Sequence, residues 1–332
     1  MSSASIVICT HNRAAVVGRA VAHALVEARG CEAEVLVVDN ASTDDTPSVL
    51  ARLEHAPSEL RVVREPSLGL SAARNRGLAE ARGEVAVFLD DDAVPRTGWL
   101  SALLAPYDAP AVACVGGRIL PGFSETPPPW LTPRLYPALS AFDLGDRPRR
   151  LRYRPGDEFP YGANISFRVA DAQRLGGFST WVGPRGRRGL VHDETDLCYR
   201  LDLAGAEIRY APDAVVEHWV LPERLTPQWF LFRHREQGHS AALFELRNRG
   251  LRRALGRVRW HYGRFLVTAP YTVAEPVDSE RLLGECRRQE ALGYLVGLAR
   301  GIPRLRALRH DLAGRTRTGL PARSCEPQSQ PS

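Results

Sequence analysis

Three consecutive carboxylates, Asp90-Asp91-Asp92, directly follow the apolar run Val85-Ala-Val-Phe-Leu89. Carboxylates crowded at the end of a buried strand repel one another and lose hydration, so a fold that keeps them calls for a compensating cation. Hard oxygen ligands suit Mn²⁺ or Mg²⁺, ions that commonly join protein carboxylates to substrate phosphates. An isolated triplet could equally be a solvated acidic turn, so its company matters. Thr10 and Asp39 also close short apolar runs, Ser5-Ile-Val-Ile-Cys-Thr10 and Glu34-Val-Leu-Val-Val-Asp39, and a second acidic group, His192-Asp193-Glu194-Thr-Asp196, lies far downstream.

These residues need strands to deliver them. Ser5 to Thr10 reads as a strand, followed by a loop and an apolar helical stretch from Ala14 to Glu27. The Glu34–Asp39 run ends in a cluster of helix-capping residues with Pro47 near a helix start. Leu60 to Arg64 is a third strand, leading through Gly69 toward Arg74 and Asn75, and Val85 to Leu89 is a fourth. Buried strands separated by helices predict a largely parallel sheet, in which ligands bind beyond the carboxyl ends of the strands. GxGxxG after the first strand and GxxxxGK[ST] are both absent, which disfavours dinucleotide and P-loop readings.

Composition bounds the classes. With 332 residues, 44% hydrophobic and 25% charged, the chain is ordinary globular protein, long enough for roughly two domains or one large α/β domain with an appendage. No apolar run is long enough to span a bilayer, and the first residues lack the basic region of a secretory signal, so a cytoplasmic protein is expected. Six scattered cysteines form no CxxC pair, which points to reduced thiols rather than structural zinc. The net charge is +6, and every one of the 44 cationic residues is Arg. Residues 224–323 carry an excess of +12 while the rest of the chain carries −6. A basic segment suits phosphates, anionic lipid or water alike. No nucleic-acid recognition module accompanies it, so nucleic acid is not an expected partner.

Taken in order, several strings resemble the family 2 glycosyltransferases, inverting enzymes with a GT-A fold. The resemblance covers roughly residues 4–220 and rests on Ile-Val-Ile-Cys-Thr10-His-Asn12-Arg, Val-Val-Asp39-Asn-Ala-Ser-Thr-Asp44, Gly69-Leu-Ser-Ala-Ala-Arg74-Asn75 and Phe88-Leu-Asp90-Asp91-Asp92. It continues through Tyr161-Gly162-Ala163-Asn164-Ile-Ser-Phe-Arg168, Leu175-Gly-Gly-Phe178, His192-Asp193-Glu194-Thr-Asp196-Leu and Ala211-Pro-Asp-Ala-Val-Val-Glu-His218. It implies an α/β GT-A fold, a mixed but mostly parallel sheet flanked by helices, with a helical C-terminal extension. Residues 1–223 would form the catalytic domain, split into a nucleotide-sugar half (1–120) and an acceptor half (121–223). A basic helical region (224–323) and a disordered tail (324–332) would follow.

The implied chemistry is metal-dependent transfer from a nucleotide-diphosphate sugar, with UDP favoured over GDP or dTDP, to a saccharide, lipid-linked or small-molecule acceptor. Asp39 and Arg74 would contact the base, with Thr10 and Asn12 lining the nucleotide pocket. Asp90 would approach the ribose, with Asp91 the variable middle residue. Asp92 would hold the cation and His218 the metal or diphosphate, unless His218 is a structural histidine beside Trp219. Gly162, Ala163 and Asn164 would face the acceptor. The family's acidic pair is usually Glu then Asp; here the order is reversed. Glu194 aligns with the usual general base, and Asp193 is the second choice. The alternatives are a non-catalytic sugar-nucleotide-binding protein and a nucleotidyltransferase on a related fold, though the latter would need a Gly-rich basic opening loop.

Three further segments carry expectations. The Pro- and aromatic-rich stretch 121–159, with Trp130, is expected on the acceptor side or in ordinary packing. Gly183 to Gly189 is a cationic loop that could touch a diphosphate or simply face water. Beyond 224, Leu251, Leu255, Val258, Tyr262 and Phe265 recur at helical spacing among arginines, and Asp278-Ser279 caps a second helix ending near Gly301. Such helices could pack on the catalytic domain, pair in a homodimer, or rest peripherally on the anionic inner face of a membrane.

Overall fold

A computed structural model describes residues 3–54, 59–153, 159–180, 192–267 and 277–308, with side chains described through 263 in the fourth segment. The cationic loop at Gly183 to Gly189 and the tail from 324 lie outside these residues, as do 154–158 of the aromatic-rich stretch.

Four strands open the chain: β1 (Ala4–Thr10), β2 (Glu34–Asp39), β3 (Leu60–Arg64) and β4 (Val85–Asp90). They pair in the order β3-β2-β1-β4, all parallel. Their connections are α1 (Val17–Gly30), α2 (Thr46–Glu54) and α3 (Leu70–Glu80). The register sets Thr10 opposite Asp39 and Cys9 opposite Asp90, so three strand ends deliver their polar residues to one edge of the sheet.

The sheet then changes character. After β5 (Ala93–Pro95) and α4 (Trp99–Leu104) come β6 (Val112–Gly122), β7 (Arg149–Leu151) and β8 (Asn164–Arg168). α5 (Val169–Arg174), α6 (Asp193–Leu203) and β9 (Glu207–Trp219) complete the α/β body. β8 inserts antiparallel between β4 and β6, β6 and β9 run parallel, and β5 and β7 each pair antiparallel with β9, which extends the order to β3-β2-β1-β4-β8-β6-β9-β5. β6 runs across the expected division at residue 120, so the two halves share one sheet.

Alternation along the strands builds a core on each face. Ile6, Ile8, Val35 and Val37 pack with Val21, Ala24 and Trp99 from α1 and α4. Val7, Leu36, Val38 and Phe88 pack with Ala73, Phe178 and Leu197 on the opposite face. Gly77 permits the close seat of α3, because a Cβ there would collide with Val7.

The C-terminal region is helical, as expected, but differently divided. The apolar spacing over 251–265 is carried by two helices, α8 (Leu251–Gly256) and α9 (Val258–Val267), joined at Arg257. Ahead of them stands α7 (Pro227–Asn248), a helix without one clean apolar stripe because it is contacted on several sides. α10 (Ser279–Gly301) starts where expected, with the Asp278 carboxylate accepting the Arg281 N–H at 2.9 Å. Phe230, Leu282, Leu283 and Cys286 share a cluster with Trp130, Leu135, Leu139 and Val220, so these helices pack on the α/β body. Asp196 of α6 reinforces the joint by accepting from Arg247 Nε at 3.1 Å and Asn248 Nδ2 at 2.7 Å on α7.

Candidate active site

A cavity of about 1010 Å³ opens at the carboxyl edge of β1 and β4 and extends under the C-terminal helices. On its strand side lie the three aspartates. His218 reaches them because β9 pairs with β5: His218 stands opposite Ala93, and Trp219 N–H donates to the Asp92 carbonyl at 2.8 Å. Ligand atoms of Asp90, Asp92 and His218 all lie within 4.8 Å of one another. His218 Nε2 is 3.0 Å from Asp92 Oδ1, and its Nδ1 is 3.2 Å from the Leu139 carbonyl. Donation from Nδ1 to that carbonyl leaves Nε2 for a cation.

Asp92 Oδ2 is buried and accepts no hydrogen bond. Two arginines approach it without closing one, Arg224 Nη2 at 3.5 Å and Arg13 Nη2 at 3.6 Å. Burial alone would raise Asp92, but His218, Arg224 and Arg13 outweigh it and hold the carboxyl at about 2. Burial together with Asp92 pushes Asp91 up to about 7, while Thr10 Oγ1 donates to Asp91 Oδ2 at 2.6 Å. An unsatisfied carboxylate oxygen beside a second carboxylate and an imidazole fits a hard divalent cation such as Mn²⁺ or Mg²⁺.

Across the cavity, α6 begins with Asp193 and Glu194, whose negative charge suits a helix N-terminus. Arg74 joins the two sides. Its Nη1 is 2.9 Å from Asp193 Oδ2 and 3.3 Å from Glu194 Oε2, and its Nη2 is 3.9 Å from Asp90 Oδ1. Gly162 makes room for this guanidinium, since a Cβ there would collide with it, and its N–H donates to Glu194 Oε1 at 3.3 Å. Ser71 Oγ donates to Asp193 Oδ2 at 3.0 Å, while Asp193 Oδ1 accepts no hydrogen bond. Burial opposes ionisation of both carboxyls. For Asp193, Arg74 and the hydrogen bonds prevail and hold it below its ordinary value. For Glu194, burial and the adjacent Asp193 prevail, and its carboxyl is pushed well above the ordinary range.

The structure thus brings Thr10, Arg74, Asp90, Asp91, Asp92, Gly162, Ala163, Asp193, Glu194 and His218 into the lining of one cavity. Four other expected site residues lie off it. Asp39 is buried and its Oδ1 accepts the Ser42 N–H at 3.1 Å. Asn12, in the left-handed region at φ 54°, accepts from the Thr43 N–H at 2.8 Å and so ties two loops together. Asn164 is fully buried and satisfied, accepting from Trp99 Nε1 and donating to the Arg118 and Ala214 carbonyls. Trp130 packs edge-on against Phe230, with ring centroids 5.5 Å apart, and belongs to the joint between body and helices. Arg74, expected at the nucleoside base with Asp39, pairs with Asp193 and Glu194.

Other residues on the wall had no assigned role. Asn40 fixes the loop before α3, accepting the Gly69 N–H at 2.8 Å and donating to the Ser67 carbonyl at 2.8 Å. Arg224 stands one residue beyond the expected domain boundary, in a 3-10 turn. Arg233 and His192 face the cavity, and burial lowers both, His192 to about 4, so its imidazole is neutral. Asn40 and Arg13 sat inside quoted strings, adjacent to strand ends, and that placement was the available signal. Arg224 and Arg233 follow β9 with no spacing rule to expose them. All five cysteines among the described residues are free thiols.

The pattern defining Glycosyl transferase family 2 matches residues 5–175. A pre-mycofactocin glycosyltransferase of Mycobacterium tuberculosis is 34% identical over 186 residues, covering 55% of this chain and 37% of the relative. A glucosyl-dolichyl phosphate glucuronosyltransferase of Haloferax volcanii is 27% identical over 180 residues, covering 54% of this chain and 56% of the relative. The chain therefore matches 37% and 56% of the length of these two relatives. Among solved structures, a mannosyltransferase from Pyrobaculum calidifontis in complex with GDP-Man and Mn²⁺ superposes with a TM-score of 0.52 at 20% identity, covering 95% of this chain and 83% of the other. GalNAc-T7 with UDP, GalNAc and Mn²⁺ gives 0.51 at 17% identity, covering 75% and 51%. These likenesses establish the GT-A fold.

Proposed function

The chain belongs to Glycosyl transferase family 2, and from that premise we propose that it transfers a sugar from a nucleotide-diphosphate donor to an acceptor hydroxyl with inversion, using a divalent cation. One observation carries the reading: a triad suited to a cation and a buried acidic pair face the same cavity, joined by Arg74.

Asp90, Asp92 and His218 would hold the cation, which when bound neutralises negative charge on the departing diphosphate. Arg13 and Arg224 stand beside Asp92 and stabilise the same charge where it develops. The nucleoside lies along the strand edge formed by Thr10 and the Asn40 loop, and the transferred sugar lies between the aspartates and α6. An acceptor hydroxyl attacks from the α6 side and passes its proton to Glu194. Glu194 is the better base on physical grounds, because burial and Asp193 raise its proton affinity. Asp193, kept ionised by Arg74, fixes that guanidinium and supplies the neighbouring charge. Single displacement by an oxygen on the face opposite the leaving group inverts the anomeric centre.

The acidic triad suits Mn²⁺ or Mg²⁺, and both structural neighbours are manganese complexes. UDP, GDP and dTDP donors all remain within the proposal, as do saccharide, lipid-linked and small-molecule acceptors. Among the described residues no helix is long and apolar enough to cross a membrane, and a cytoplasmic site of action is part of the same proposal.

The test is a thermal-shift panel of UDP-, GDP- and dTDP-sugars with and without Mn²⁺, followed by turnover of the stabilising donor. Asp92→Ala should remove metal-dependent turnover, a loss of about 10²–10³-fold or more. Undiminished turnover in that variant refutes the metal assignment.

A further inference from the structure

Resting on the glycosyl-transfer reading, we propose that the helical end of the cavity is a subsite for the second ring of a saccharide acceptor, with Trp260 as stacking platform and Glu245 as hydrogen-bond acceptor. This part of the wall comes from α7, α9 and α10, beyond residues 5–175 that define the family.

The cavity does not end at the acidic pair. His192, next to Asp193, has its ring 6.1 Å from Phe244, which packs against Tyr153 at 5.7 Å. Glu245 follows Phe244 on α7 and reaches Arg257 at the start of α9 at 2.6 Å; Arg257 lies 5.8 Å from the Trp260 ring. Phe244, Glu245, Arg257 and Trp260 all line the same cavity as Glu194. The helical end is thus continuous with the position from which an acceptor hydroxyl would attack.

Glu245 is fully buried, and its Oε1 accepts from Arg249 Nη1 at 2.9 Å and Arg257 Nη1 at 2.6 Å. Its Oε2, equally buried, accepts nothing. A buried carboxylate oxygen without a donor carries a desolvation penalty that a ligand O–H would remove. Trp260 beside it is 51% exposed, yet its ring is positioned by His261, which meets it edge-on at 4.6 Å and itself stacks on Tyr294 at 3.9 Å.

The ligand chemistry follows from the mixture. Glu236 and Glu245 offer acceptors, Arg233 and Arg257 offer donors, and an indole face lies among them. A neutral polyol ring uses all three, since its hydroxyls both donate and accept while its C–H face covers an aromatic ring. A phosphorylated group would bring its charge toward these carboxylates, and an alkyl chain would leave Glu245 Oε2 dry and unpaired. A saccharide of two or more rings satisfies both ends, one ring presenting its hydroxyl to Glu194 and the next lying on Trp260.

The experiment probes the full chain on an array of immobilised mono-, di- and oligosaccharides, neutral and phosphorylated, comparing wild type with Trp260→Ala, Trp260→Phe and Glu245→Gln. Nucleotide–Mn²⁺ binding and melting temperature are recorded in parallel. Wild type should bind neutral di- or oligosaccharides in preference to their single rings. Trp260→Ala and Glu245→Gln should each weaken that binding by about tenfold, the loss of one good contact, and Trp260→Phe should restore most of it. No saccharide binding by wild type, binding confined to phosphorylated glycans, or full binding by Trp260→Ala each overturns the proposal. Failure of wild type to bind any nucleotide with Mn²⁺, with saccharide binding retained, instead fells the transfer reading and leaves the subsite standing.

Discussion

The two walls of the cavity are made in different ways. On the sheet side, chemistry-bearing residues sit where strands stop, and parallel register gathers Thr10 and Asp90 at one edge whatever their separation in sequence. On the helical side, Arg233 and Glu245 come from the face of α7, Glu290 from α10 and Arg257 from the joint between α8 and α9. Strand ends can hold charge fixed because hydrogen-bonded backbone flanks them, which would suit the diphosphate of the proposed donor. Helix faces can change residue by residue without disturbing a ladder, which suits an acceptor that differs from one relative to the next.

The largest effect that would sharpen this contrast lies at the seam. Glu194→Gln should cut transfer by about 10²–10⁴-fold while nucleotide binding, a property of the sheet side, persists. If Asp193→Asn produces that split and Glu194→Gln does not, the base is Asp193. The same variant has a stability signature. Because the folded state raises Glu194 above its ordinary value of 4.5, the native protein binds that proton more tightly than the unfolded chain, and wild type loses stability as pH rises from the mid-fours through the folded value. Glu194→Gln carries no such loss, so its melting temperature relative to wild type should climb over that range; a flat difference would mean the carboxyl is not desolvated.

Arg247→Ala would break the joint itself. Arg247 is fully buried and pairs with fully buried Asp196, so its removal should cost about 3–5 kcal/mol in urea unfolding. An unchanged midpoint would mean that the apolar cluster around Trp130 and Phe230 alone unites body and helices. The smallest effect expected is on the outer surface of the helical side. Arg252, Arg253 and Arg259 lie beside exposed Leu255 and Tyr262 on α8 and α9. Each arginine near an anionic surface is worth about 1 kcal/mol, so anionic vesicles should co-sediment the protein at low salt and release it at high salt. No salt-sensitive binding confines these faces to water or to a second copy of the chain.

What was legible in the sequence divides along the same line. β2 and β3 were read to the residue and β1 and β4 to within one, because continuous apolar runs bounded by polar loops leave little ambiguity. The acidic triplet, His218 and the reversed acidic pair were visible as types in order. Their joining through Arg74 was not, because a guanidinium's target is fixed by what Gly162 leaves open, and no spacing rule records that void. Asn164 was read as acceptor-side by string position, and its burial makes it a clamp between the Trp99 indole and two backbone carbonyls; Trp130, read as acceptor-side or ordinary packing, is part of an apolar cluster. α7 escaped because a helix packed on several faces shows no single apolar stripe. The break at Arg257 escaped because apolar spacing continues across it.

The contact between α7 and α10 has a further consequence. At Gly238, Gly293 and Gly297 even a Cβ would strike the backbone of the opposing helix, so the two backbones mesh directly there, while Gly301 seats against the Leu243 and Leu246 side chains. A helix repeats its notches about every 5.4 Å, and glycines four apart leave α10 stable seats along α7 only at whole-turn intervals. The helical wall therefore behaves as a detent rather than a slide. Glu290 holds its depth in the cavity as a ratchet tooth holds its place, so preference for one acceptor over another would diverge by exchanging side chains on a fixed pitch, not by gradual drift of the wall.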